Sequence, residues 1–255
     1  MVNIFGNLTT EGLEQSQDRL GGFRVLESGA YTGTIKAAYA GKSPHSHAQS
    51  ISVILDTEAG EYRETFWITN RDNQNFFRNK QDNTKKVPLP GFVIIEDLCL
   101  VTSNKPLADQ VTEDKIMNVY DPEAKKEMPK SVPMLVELLG KKVTFGILKE
   151  TRNKQVKNSS TGEYEDTAES REENVTDKVF HYPSNLTVVE ARQGTTVATF
   201  FNAWVEKNKG VTRDRRTNKS GAGGNGGGQS GKPGRPNTPP KAGETTPKTP
   251  SLFNS

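Results

Sequence analysis

The chain has 255 residues, 25% charged and 32% hydrophobic, and its single cysteine, Cys99, excludes an internal disulfide and a cysteine-based zinc site. The sequence contains no run of about 18 apolar residues and no basic-then-apolar N-terminal pattern, so we expect neither a membrane span nor a secretory signal. The net charge is +3, but residues 208–255 carry nine basic residues against two acidic ones.

The C-terminal stretch 208–255 also differs in composition from the rest of the chain. It holds ten of the 23 glycines and six of the 14 prolines. A segment of this kind buries too little apolar surface to compensate for the entropy lost on ordering. We therefore expect one folded domain over residues 1–207 and a disordered, basic, Gly/Pro-rich tail over residues 208–255.

The first part of the domain predicts a helix followed by three strands. A short helix is expected over Thr10–Leu20, where two glycines follow it. Alternating side chains over Ala30–Tyr39 indicate a strand. The β-rich segments Gln49–Thr57 and Glu61–Thr69 flank a turn, which predicts an antiparallel hairpin.

A polar loop over residues 70–91 precedes a predicted helix over Phe92–Val101, where apolar residues recur at helical spacing. The C-terminal half alternates strands and helices around a charged insertion. In chain order we expect a strand at Ile116–Tyr120, a helix at Val132–Leu139, a strand at Lys141–Glu150, the charged insertion at 151–174, a strand at Val175–His181, and helices at Thr187–Arg192 and Thr196–Lys207.

This order indicates a fold that is mainly β with a few helices. Three strands, a helix and further strands form the layout of a five-stranded Greek-key OB-like barrel, here with insertions and a disordered C-terminal tail. A generic α+β fold is the alternative that the same pattern leaves open.

The sequence predicts no catalytic centre, no metal site and no cofactor. His45 and His47 supply two ligands, which is too few for zinc. Cys99 lies on the apolar face of a predicted helix, which favours a buried structural thiol over a nucleophile. Residues 160–177 hold seven acids and one base, but their spacing is not that of a calcium-binding loop.

Aromatic and basic residues interleave over residues 62–86, which is typical of a surface for single-stranded nucleic acid. Such a strand offers flat bases for stacking and phosphates for cations, and neither contact requires a particular sequence. Because Phe66 and Trp67 are adjacent on a strand, one should be buried and the other exposed. The expected stacking residues are Trp67, Phe76 and Phe77, and the expected phosphate contacts are Arg71, Arg78, Lys80, Lys85 and Lys86.

A second set of candidates lies on the first strand. Tyr31 and Tyr39 are eight residues apart and are expected on one face, with Lys36 and Lys42 beside Tyr39. In an OB barrel the first strands form the usual ligand groove. We expect the tyrosines to stack on bases and the lysines to contact phosphates, with packing of the tyrosines in the core as the alternative.

Four longer segments of the chain together resemble a known family. They are ETFWITNRDNQNFFRN, VPLPGFVIIEDLCLVTSNKPL, KIMNVYDPEAKKEMPKSVPMLVELLGKKVTFGILKETRNKQ and DKVFHYPSNLTVVEARQG. Over residues 25–215 the chain resembles single-stranded DNA-binding proteins encoded by tailed phages. The resemblance implies an OB fold, sequence-independent binding of single-stranded DNA, and service in phage DNA replication, recombination and repair in the host bacterial cytoplasm. It also implies that the protein is not an enzyme.

The tail departs from the family pattern, because such proteins commonly end in an acidic tail with a terminal aromatic residue. Here the tail is basic, and we expect it to add nonspecific affinity for DNA. Leu252 and Phe253 are expected to dock replication or recombination enzymes. The acidic stretch 160–177 could take the place of the missing acidic tail as an internal mimic of DNA. Two other functions stay open, a phage structural or assembly protein and a metal-dependent DNA-processing enzyme that uses those acids.

Overall fold

A computed structural model describes residues 25–43, 46–121, 124–158, 164–217 and 252–253. The helix expected over Thr10–Leu20 lies outside these residues. The strands and helices, in chain order, are β1 Gly29–Lys42, β2 Gln49–Thr57, β3 Gly60–Trp67, β4 Phe76–Arg78, β5 Lys86–Pro88, α1 Pro90–Ser103, β6 Thr112–Asp121, β7 Lys126–Leu135, β8 Lys142–Lys157, β9 Tyr164–His181, α2 Val188–Arg192, α3 Thr199–Asn208 and β10 Thr212–Asp214.

The fold is mainly β, as predicted, and β1 is the strand that organises it. The first half of β1 pairs antiparallel with β8, and most of its length pairs antiparallel with β2, which in turn pairs with β3. β9 runs antiparallel to β8, and the β6–β7 hairpin joins β1 opposite Tyr39. Among the described strands no ladder joins β3 to β9, so the sheet does not close into a barrel.

A β-bulge at Lys36 changes which side chains of β1 face the main core. Ile35 lies opposite Leu55 and Ala37 lies opposite Ile54, so Lys36 is left over in the ladder. An extra residue of this kind reverses the alternation of side chains beyond it. Tyr31 therefore packs against the main core, whereas Tyr39 packs on the other face of the sheet, and the expectation that they share a face is wrong.

The main core lies between the inner faces of the strands and α1. It contains Leu55, Phe145, Ile95, Leu98 and Cys99, all fully buried. The predicted helix is confirmed, although it begins at Pro90 and ends at Ser103. Burial raises the pKa of the Cys99 thiol, which fits the expected structural role of this cysteine.

Two segments differ from their predictions because strand pairing outweighs local pattern. The expected helix Val132–Leu139 is instead the end of β7 followed by a single 3₁₀ turn, since every residue from Lys126 to Leu135 pairs with β6. The expected charged insertion 151–174 continues β8 and β9 as a two-stranded arm. Opposite charges meet across this arm, as in the ion pair between Lys154 and Glu169 at 2.8 Å.

The folded body extends beyond residue 207. β10 pairs in parallel with β8, and Thr217 donates its backbone N–H to Asn153 Oδ1 at 2.8 Å. Residues 208–217 therefore belong to the body rather than to the tail, and Leu252 and Phe253 also lie against the core. No helix among the described residues combines the length and apolar character that a membrane span needs.

Candidate nucleic-acid interface

The outer face of the β1–β2–β3 sheet carries two of the predicted stacking residues. Strand register places Tyr39, Ser52 and Thr65 in one row across the three strands. The next row on the same face contains Gly41, Ser50 and Trp67. Since directly opposed residues on neighbouring strands have Cβ atoms about 4.5–5.5 Å apart, Tyr39 and Trp67 flank a short strip of small side chains.

Small side chains and hydroxyl groups form the floor between the two rings. The Ser52 and Thr65 hydroxyl oxygens lie 2.8 Å apart in a hydrogen bond. Trp67 is 49% exposed, whereas its neighbour Phe66 is 5% exposed, which confirms that one of the pair is buried and the other accessible. The face therefore presents an accessible indole next to a shallow polar surface, a shape that suits a flat base.

The β6–β7 hairpin limits this face on one side. A second apolar cluster, made of Ala37, Ile54, Val132 and Met134, fixes the hairpin against the outer face, and Tyr39 packs at its edge. An ion pair of 3.2 Å between Arg63 on β3 and Glu127 on β7 adds a polar contact between hairpin and sheet. The part of the face that bears Trp67 lies beyond this cluster.

The predicted polar loop 70–91 contains the short β4–β5 hairpin, which brings aromatic and basic groups together. Phe76 lies opposite Pro88, and Arg78 lies opposite Lys86, so Phe76, Arg78 and Lys86 share one face. The ammonium of Lys86 lies 4.5 Å from the centroid of the Phe76 ring. Phe77 points to the other face and is 46% exposed.

Local hydrogen bonds connect this hairpin to the turn that follows β3. The Asn70 side-chain oxygen accepts the backbone N–H groups of Asp72 and Gln74, which fixes the turn that follows β3. At the other end, a Cβ on Gly91 would clash with the Trp67 carbonyl oxygen. The close approach of the first turn of α1 to the Trp67 backbone therefore requires glycine at position 91.

The predicted phosphate contacts of the loop are accessible, and most of them have no acidic partner in the part of the chain that the structure describes. Arg71, Arg78, Lys80 and Lys86 are exposed and form no ion pair with another described residue. Arg78 donates to the Asn83 carbonyl oxygen at 2.9 Å. The exception is Lys85, which pairs with Asp82 at 3.1 Å.

The structure separates the remaining candidates from this cluster. Lys36 pairs with Glu61 at 3.2 Å, and Lys42 is exposed at the end of β1. The Tyr31 hydroxyl donates to the Glu27 carbonyl oxygen at 2.7 Å, on the far face of the sheet. Tyr31 lines a different, open cavity of about 660 Å³, together with Lys142 and Tyr182.

The sequence did not indicate that Lys142 and Tyr182 lie together on this second surface. The ammonium of Lys142 lies 5.3 Å from the Tyr182 ring, which is 41% exposed. The two residues come from β8 and from the turn after β9, and only the pairing of these strands brings them together. The sequence signal was limited to a tyrosine directly after a predicted strand.

The acidic stretch 160–177 forms ion pairs and hydrogen bonds in its described part. Glu172 pairs with Lys149 at 3.1 Å, and Glu173 pairs with Arg152 at 3.0 Å. Asp177 accepts the Trp204 indole N–H at 2.7 Å. In the part of the chain that the structure describes, no three His, Cys, Asp or Glu side chains are grouped so as to hold a metal ion; His45 lies outside this part.

Two partly buried carboxyl groups have a raised pKa. Glu64 accepts the Tyr62 hydroxyl at 2.6 Å and the Thr176 backbone N–H at 3.0 Å, which links β3 to β9, and burial raises the pKa of Glu64. On α1, burial raises the pKa of Asp97 to about 6, against the attraction of Lys178 and Arg192. Neither carboxyl faces the row that carries Trp67.

Comparison of the sequence with known proteins does not assign the chain to a family. No protein-family model matches the chain, and the search of curated proteins found no similar sequence.

Proposed function

We propose that this protein binds single-stranded DNA without regard to base sequence, and that it does so without catalysis. The observation that carries the proposal is that two surfaces with exposed aromatic rings follow each other directly in the chain. Trp67 ends β3 on the outer face of the sheet, and the β4–β5 hairpin that follows it carries Phe76, Phe77 and several cations that form no ion pair with another described residue.

The chemistry of this surface suits an unpaired strand better than a duplex. Trp67 and Phe77 offer accessible rings, and base stacking on such rings contributes about 1–3 kcal/mol per base. Arg71, Arg78 and Lys80 supply positive charge within a few residues of the rings for the phosphates. A duplex hides the faces of its bases, so only its phosphates would be bound.

We propose in addition that the body is an OB-like barrel. Support comes from the order β1–β2–β3–α1–β8–β9, from the pairing of β1 with both β2 and β8, and from the position of a helix between the third and fourth of these strands. In this proposal, α1 and the side-chain bonds of Glu64 and Tyr62 to Thr176 span the gap between β3 and β9. The β6–β7 hairpin is an insertion in that barrel.

The biological setting that we propose is phage DNA replication, recombination and repair in a bacterial host. It rests on the resemblance over residues 25–215. In this setting the cations beyond residue 217 add nonspecific, salt-dependent affinity for DNA.

Binding of fluorescein-labelled oligo(dT) to the full chain, followed by anisotropy at several salt concentrations, tests the proposal. We expect saturable binding that weakens with salt, and weaker binding of duplex DNA of the same length. Shortening of the oligonucleotide in magnesium would instead favour the DNA-processing enzyme. Absence of any binding to oligo(dT) at low salt would contradict the proposal and favour an assembly role.

A further inference from the structure

Two residues near the C-terminus lie in a pocket of the folded body. The ring of Phe253 stacks on the imidazole of His181, with centroids 4.3 Å apart and planes at 16°, and Phe253 is 9% exposed. The backbone N–H of Leu252 donates to Asn104 Oδ1 at 2.9 Å. An apolar ring and a backbone hydrogen bond thus anchor the same dipeptide.

The walls of this pocket are held in place by the fold. Asn104 ends α1 in the left-handed conformation, with φ of 59°, and its side-chain oxygen is the acceptor for Leu252. His181 ends β9, and its Nδ1 is 2.7 Å from Ser184 Oγ, which orients the imidazole plane. Phe253 joins the main core cluster, to which Leu186 and Val188 also belong.

The sequence between the body and the anchor contains no competing apolar group. Residues 218–251 include no Leu, Ile, Val, Met, Phe, Tyr or Trp, so Leu252 and Phe253 are the only large apolar residues after residue 217. A chain of this length reaches roughly 110 Å when fully extended. The covalent connection therefore does not confine the anchor to the pocket of its own chain.

We propose that this pocket is a docking site for the C-terminal Leu-Phe pair of a second copy of this chain, and that copies exchange their C-termini through it. The contact between two copies is the one that the structure records within one chain. At low protein concentration, docking within one chain is favoured over docking between chains, because the covalent connection raises the effective concentration of the anchor at its own pocket. Exchange becomes favourable where many copies are close together, and it does not require the proposed function.

A synthetic peptide tests whether the pocket accepts a C-terminus in trans. A fluorescent peptide of residues 244–255 is titrated with the full chain and with its Phe253→Ala variant, whose own anchor is lost. We expect the variant to bind the peptide at least about tenfold more tightly than the native chain, where the tethered anchor competes. A peptide that itself carries Phe253→Ala is the matched control and should not bind.

A mixing experiment tests exchange between whole chains. The Phe253→Ala chain has a pocket without an anchor, and a His181→Ala chain has an anchor without its stacking partner. Sedimentation of the mixture should show a complex that neither variant forms alone. Equal peptide affinity of the native and Phe253→Ala chains, or equal binding of the control peptide, would overturn the proposal, and these outcomes are decisive even if His181→Ala fails to fold.

Discussion

The ammonium of Lys86 lies 4.5 Å from the centroid of the Phe76 ring, and strand register places both residues on the same face of the β4–β5 hairpin. A cation in this position is attracted to the ring electrons. On this face of the hairpin, the Phe76 ring and the Lys86 ammonium therefore already interact with each other within the protein. The opposite face, which carries Phe77, offers its ring to solvent and so to a ligand.

This difference predicts that the Phe77 ring matters for DNA binding and hardly at all for the stability of the fold. We expect Phe77→Ala to weaken binding of oligo(dT) by about 1–3 kcal/mol, because a stacked base loses its platform. The free energy of unfolding should change by less than about 0.5 kcal/mol, since the side chain is exposed. Anisotropy titration and urea unfolding measure the two quantities.

Val189→Ala is the matched control for Phe77→Ala, because Val189 is also an exposed apolar residue, 61% accessible, but lies on α2. It should leave oligo(dT) binding unchanged. Equal affinity of the Phe77→Ala and native chains would remove this ring from the interface.

The cations predict a difference in salt dependence between paired and unpaired side chains. Arg71 has no ion pair among the described residues, whereas Lys36 already pairs with Glu61 and approaches Asp56. Each phosphate contact to a single strand contributes about 0.7 to the slope of log K against log salt. We expect Arg71→Ala to lower this slope by that amount and Lys36→Ala to leave it nearly unchanged. The reverse order would contradict the assignment.

Gly91 predicts a stability effect that depends on the Trp67 backbone. A methyl group at position 91 would clash with the Trp67 carbonyl oxygen, so α1 or the end of β3 must move. We expect Gly91→Ala to destabilise the fold by about 1–3 kcal/mol, which outweighs the gain in helix propensity of up to about 1 kcal/mol. Gly29→Ala is the control, because its new methyl group meets its nearest atom at 3.5 Å. Equal unfolding midpoints for the two variants would refute the close approach.

Asp97 predicts a pH dependence of stability. Burial raises its pKa from the usual 3.8 to about 6, so between these values the folded chain holds a proton that the unfolded chain has released. The stabilising effect of this proton is complete below about pH 4 and is lost as the pH rises through about 6. At neutral pH the ionised group therefore lowers stability, by an amount on the order of 2 kcal/mol.

Unfolding of Asp97→Asn at several pH values measures this contribution. Between about pH 4 and pH 7 the native chain should lose on the order of 2 kcal/mol more stability than the variant. Asp109→Asn, at an exposed position, should follow the native chain. Parallel pH profiles for the native and Asp97→Asn chains would show that Asp97 does not titrate in this range.

The local sequence pattern was sufficient to predict the bounds of a strand that has no bulge. β2 has the predicted bounds, Gln49–Thr57, because its inward Ile51, Val53 and Leu55 occupy every second position of a β-rich segment. The bulge at Lys36 has no comparable signal, since no glycine or proline marks it in the sequence. It follows from the need of β1 to pair with β8, β2 and β7 at once.

The candidate site was predictable in composition but not in arrangement. Residue types alone indicated Trp67, Phe76 and Phe77, but the separation of Phe76 from Phe77 depends on a three-residue strand in a polar loop. Hydrogen bonds of Asn70 and Asp82 to nearby backbone specify that loop more than any hydrophobic period does. The docking of Phe253 on His181 joins positions far apart in the sequence, which no local pattern reveals.

The most direct test of the account is the fluorescence of Trp67 during titration with oligo(dT). The chain has two tryptophans, and Trp204 is 5% exposed with its indole N–H bound to Asp177, so it supplies a constant background. We predict that oligo(dT) quenches the emission of the native chain, that salt reverses the quenching, and that Trp67→Phe abolishes it. Unchanged emission of the native chain at saturating oligo(dT), or full quenching in Trp67→Phe, would contradict the account.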